Sequence, residues 1–135
     1  MYLFFKNFWK TLVWACIIIV LSLMPADNIH SQNWYVLPHQ DKILHLLFYG
    51  IFGFLLIKAF QAHFKRPRMS STVLILSLSL ILAFGAILEI IQEKMIQSRE
   101  GEVLDLLFDL IGFLIACIYI YFVQYYKRHF NEIKG

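Results

Sequence analysis

Asp41, His45 and Tyr49 follow one another at four-residue intervals, a spacing that stacks side chains along one stripe of a helix. Farther along, Glu89, Gln92 and Glu93 share a helix face with Gly85, and Asp105 and Asp109 share one with Gly112. Residues of these types support three kinds of chemistry. A carboxylate within reach of an imidazole or phenol can move a proton. Arg99, with Lys42 beside Asp41, can partly neutralise the carboxylates, and Arg99 can grip one through both arms of its guanidinium. Several carboxylates with one imidazole can surround a hard divalent cation such as Mg²⁺. A cation stays open on side-chain chemistry alone, but the chain has no His-Glu-x-x-His and no Asp-x-x-Asp pair, so the expectation is no metal and no other cofactor. Nucleophilic catalysis has less support, because no Ser or Cys stands near a His in a triad-like context.

The elements that must position these residues are long apolar runs. The spacing predicts helices over about Phe4 to Met24, Asp41 to His63, Ser70 to Gln97 and Val103 to Tyr126. Each is long enough for a hydrocarbon core that takes roughly 20 residues per crossing. Pro25 closes the first, the basic turn Lys65-Arg66-Pro67-Arg68 separates the second from the third, and Ser70 or Ser71 suits an N-cap. Lys127-Arg128-His129 is expected to end the fourth. Lys6 and Lys10 before the first run resemble a signal peptide, but no Ala-x-Ala-like cleavage site follows, which favours a retained helix. The fold class expected is therefore an all-α integral membrane protein, a single domain over residues 1–135 built as a four-helix bundle.

Composition agrees. Of the 135 residues 60% are hydrophobic and only 16% are charged, against about a quarter in soluble domains. The net charge of +3 does not argue for nucleic acid, because the basic residues lie between apolar spans. Cys16 and Cys117 sit inside apolar runs and read as small buried hydrophobes. Nine of the twelve Lys and Arg residues fall on the side holding both termini and the second loop; eight of the nine acids fall on the other. The Lys/Arg bias places both termini in the cytoplasm. The acidic excess on the outer side needs its own cause, and Glu89 sharpens the question. It follows an uncharged run from Ser77 to Leu88, and a carboxylate facing lipid there would cost several kcal/mol. It should point into the bundle, where Asp41, His45, Tyr49, Gln92, Arg99, Asp105 and Asp109 would join it in one outward-facing pocket. Asp41 also suits an N-cap, and Asp105 a charge favoured by the helix dipole.

Four elements in order resemble the VanZ-like family of small multipass bacterial membrane proteins. They are Leu21-Ser22-Leu23-Met24-Pro25 closing the first helix, Asp41-Lys42-Ile43-Leu44-His45 with Tyr49, Glu89-Ile90-Ile91-Gln92 followed by Arg99, and Asp105 with Gly112. The resemblance covers about Trp14 to Ala116. It implies the bacterial cytoplasmic membrane and an association with glycopeptide resistance of the teicoplanin type. Asp109 stands where the family usually has Asn, which makes this pocket more acidic than the family pattern.

The leading expectation is a protein that binds or acts on a cell-envelope lipid or cell-wall precursor, or confers glycopeptide resistance; membrane lipid is its partner and nucleic acid is not. Two alternatives stand beside it. One is a membrane-embedded enzyme using a carboxylate/His site. The other is a structural subunit whose polar cluster only pins the helices together.

Overall fold

The apolar runs fold as four helices: α1 over Tyr2–Ser22, α2 over Gln40–His63, α3 over Ser71–Met95 and α4 over Val103–Lys134. The computed structural model describes residues 2–23, 40–95 and 103–134. All four helices are long and apolar enough to cross a membrane, and every regular element among the described residues is α-helical. One boundary moves. α4 continues past Tyr126 to Lys134, because residues 127–134 contain neither Gly nor Pro and include Lys, Arg and Glu, all good helix formers.

α2 is the centre of the bundle. It packs most extensively on α4 and touches α1 and α3 as well, whereas among the described residues no Cα of α1 comes within 8 Å of one in α4. The core runs along it: Tyr49, Phe52, Leu56 and Ile57 of α2 meet Ile18, Ile81, Leu88, Phe113 and Ile120. The outer faces are just as apolar, with Val20, Ile75, Ile87, Ile118 and Tyr119 all more than half exposed. A surface of that kind matches hydrocarbon, and in hydrocarbon only a helix satisfies its own backbone. Cys117 is half-buried, but Cys16 faces outward on α1, contrary to expectation; it serves as one more apolar side chain on that face.

Small residues set how closely the helices approach. A side chain at Gly112 would strike the Leu46 carbonyl oxygen and come within 2.8 Å of the Gly50 nitrogen. The backbones of α2 and α4 therefore touch at Gly50 and Gly112, the close crossing that small residues permit between membrane helices. α1 is fixed differently. The Trp14 indole N–H donates to the Phe48 carbonyl at 3.0 Å, and Phe8 packs edge-on against Phe60.

The connection between α2 and α3 is tied by its own backbone. Arg66 N–H donates to Gln61 O at 2.9 Å and Lys65 N–H to Ala62 O at 3.3 Å, the paired bonds of a Schellman cap. Lys65 takes the left-handed position, φ 52°. Ser70 is the N-cap of α3, its hydroxyl accepting from Val73 N–H at 3.4 Å. Gln124 of α4 closes the turn from the side: its oxygen accepts from Met69 N–H at 3.2 Å and its amide donates to Pro67 O at 3.4 Å.

Candidate functional site

At the opposite end of the bundle, α2 begins, α3 finishes and α4 begins. The four-residue spacing puts His45 and Tyr49 on one stripe of α2, and the rings lie parallel with centroids 5.9 Å apart. The same spacing stacks Asp105 and Asp109 on α4, both buried. The close α2–α4 crossing then brings the two stripes together. His45 Nδ1 lies 2.8 Å from Asp109 Oδ1. With Asp109 ionised, its carboxylate accepts this bond from Nδ1–H. His45 Nε2 faces Asp105 Oδ2 at 3.8 Å, and Lys42 Nζ approaches Asp105 Oδ1 at 3.9 Å. Asp105 therefore turns one oxygen to the ammonium and the other to the imidazole.

α3 supplies the third wall. Glu89 brings a carboxylate oxygen into the group formed by His45 and Asp105, with donor atoms from all three within 4.8 Å of one another. One turn deeper, Gly85 leaves room for the far oxygen of Asp109. A side chain there would meet Asp109 Oδ2 at 2.8 Å and the Tyr49 hydroxyl at 3.5 Å. Those two oxygens, on residues each only 1% exposed, converge on the floor of the cluster without a hydrogen bond to any described residue.

The structure thus brings His45, Tyr49, Glu89, Asp105 and Asp109 to one place. Gln92 is on the same helix as Glu89, but its amide donates to the Ser22 carbonyl at 2.8 Å, so it caps the last turn of α1 and joins that helix to α3. Arg99 and the side chain of Asp41 lie outside the described residues. Lys42, which the sequence offers beside Arg99 as a charge that partly neutralises the site, is buried against Asp105. One contributor escaped the sequence reading. Gly50 forms half of the helix contact that sets the His45–Asp109 distance; its pairing with Gly112 is a signal only after α2 is known to cross α4.

The site can donate and accept protons, hold a cation and form hydrogen bonds to hydroxyl or ammonium groups. No protein-family model, curated protein or solved structure matches the chain among those compared.

Proposed function

We propose that this chain is a VanZ-like protein of the bacterial cytoplasmic membrane, with both termini in the cytoplasm. In this reading its polar cluster is an outward-facing site that binds or acts on a cell-envelope lipid or cell-wall precursor, with resistance to teicoplanin-type glycopeptides as the phenotype. The observation that carries it is the meeting of His45, Glu89, Asp105 and Asp109 from three helices at one end of the bundle. Ionisable groups within apolar spans are expensive, and they mark ligand or ion sites more often than they mark packing. Carboxylates in this arrangement accept hydrogen bonds from the hydroxyl and ammonium groups of a headgroup, while the apolar outer faces keep the acyl chains in the bilayer. The Lys/Arg bias supports the orientation.

The experiment is glycopeptide susceptibility of cells expressing Glu89→Gln or Asp105→Asn, with membrane insertion checked in parallel. Variants that insert normally should lose the phenotype; full activity in both would end this reading. Orientation is tested separately. A cysteine at Arg66, in a cysteine-free background, should resist a membrane-impermeant thiol reagent in intact cells and react after lysis.

The His45–Asp109 bond also favours a second reading, a membrane enzyme. A carboxylate holding Nδ1–H orients the imidazole so that Nε2 can take a proton from a substrate. Loss of turnover in His45→Ala with unchanged headgroup binding would favour catalysis over binding alone.

A further inference from the structure

Three donor groups, the imidazole of His45 and the carboxylates of Glu89 and Asp105, have atoms within 4.8 Å of one another at the head of the α2–α3–α4 cluster. We propose that they form a site for a first-row divalent cation of the Zn²⁺ type, with Asp109 as the positioning residue behind the imidazole. This inference rests on the reading of the cluster as a ligand site and names the ion through which that site would hold a headgroup oxygen.

The imidazole is arranged as a metal ligand is arranged. Its Nδ1 lies 2.8 Å from Asp109 Oδ1; in the neutral tautomer with the proton in that bond, the lone pair is on Nε2, the nitrogen facing Asp105. Metal-bound histidines almost always give their other N–H to a carboxylate or carbonyl in this way. Nε2 lies 3.8 Å from Asp105 Oδ2, beyond a hydrogen bond. Ligands bound about 2.1 Å from one ion stand roughly 3–3.5 Å apart, so donor atoms now within 4.8 Å of one another draw together by up to about 1.3 Å to hold one.

On the Nδ1 side of the imidazole, one turn deeper, Asp109 Oδ2 and the Tyr49 hydroxyl lie buried beside Gly85 and bond to no described residue. The imidazole selects against Mg²⁺ and Ca²⁺, which prefer all-oxygen shells, and in favour of Zn²⁺ and its first-row neighbours. Three protein ligands leave a fourth position open, as in zinc sites that engage a substrate.

The test uses the full chain in detergent with its tag removed, stripped with chelator and titrated with Zn²⁺ alone. The wild type should take up a single equivalent that survives desalting. Asp109→Asn should weaken binding by roughly 10- to 100-fold, His45→Ala and Asp105→Asn should abolish it, and Glu93→Gln should leave it unchanged. X-ray absorption of the zinc-loaded wild type needs no variant and should show imidazole and oxygen ligands without sulfur. A wild type that takes up no zinc, a sulfur-containing shell, or undiminished binding by folded His45→Ala would overturn the proposal. The two readings fail separately. If the wild type binds no zinc while Asp105→Asn still loses the glycopeptide phenotype, the ion is excluded and the headgroup site stands. If zinc binds while Glu89→Gln and Asp105→Asn both keep the phenotype, the ion site stands without the proposed function.

Discussion

The two ends of this bundle treat their polar groups in opposite ways. At the α2–α3 turn, polar atoms are paired locally and mostly with backbone: the Lys65 cap, the Ser70 N-cap and the two bonds from Gln124. These contacts stop helices and fix a turn, and neutral partners suffice for them. At the other end, ionisable side chains from three helices face one another, and two buried oxygens have no protein partner among the described residues. Such an arrangement is poor value for stability, because desolvating charges offsets much of what their attraction returns. One end satisfies its polar groups with backbone, and the other gathers ionisable side chains.

The largest effect that would break the comparison lies at the crossing on which the charged end depends. Gly112→Val puts a side chain into the Leu46 carbonyl and the Gly50 nitrogen, and backbone cannot step aside as a side-chain tip can. Destabilisation of about 3 kcal/mol is expected, read as a lowered melting temperature in detergent together with loss of the site.

The next is a reversal of sign. Replacing both His45 and Asp109 with Leu removes a buried pair and should leave stability unchanged or raise it by about 2 kcal/mol, while abolishing activity and zinc uptake. A marked loss of stability in the double variant would show that the cluster is there to pin the helices.

Smaller changes are expected at the turn. Gln124→Ala should cost about 1 kcal/mol, from the bonds to Met69 and Pro67, with no change in the phenotype. Lys65→Gly relieves a left-handed residue and should raise stability by about 0.5–1 kcal/mol, a small upward shift of the thermal transition.

Much of the architecture could be read from the chain, because hydrocarbon leaves few choices. Apolar runs of this length have to be helices, and the start of α2 and the end of α1 fall within two residues of expectation. The stripes were legible for the same reason: a four-residue repeat fixes which side chains share a face, and cost keeps Asp109 and Glu89 away from lipid. What periodicity does not fix is rotation of one helix about its axis relative to another, or the choice of rotamer. Gln92 shares its helix with Glu89 yet turns to Ser22, and Gln124 looked like an ordinary residue near the end of α4 until the α2–α3 turn was seen beside it. The extension of α4 to Lys134 is not legible from hydropathy, because polarity marks the end of the apolar stretch and not the end of the helix.

The Gly50–Gly112 contact also behaves as a fulcrum. His45 lies five positions before Gly50 and Asp109 three before Gly112, about 4.5–7.5 Å along their axes. A 5° scissoring of α2 against α4 would shift these groups by only about 0.4–0.7 Å, whereas the far end of α4, about 33 Å from the contact, would sweep about 3 Å. Bilayers of different thickness tilt helices by comparable angles. Leverage of this kind sends such distortion to the distal end and spares the spacing between imidazole and carboxylate.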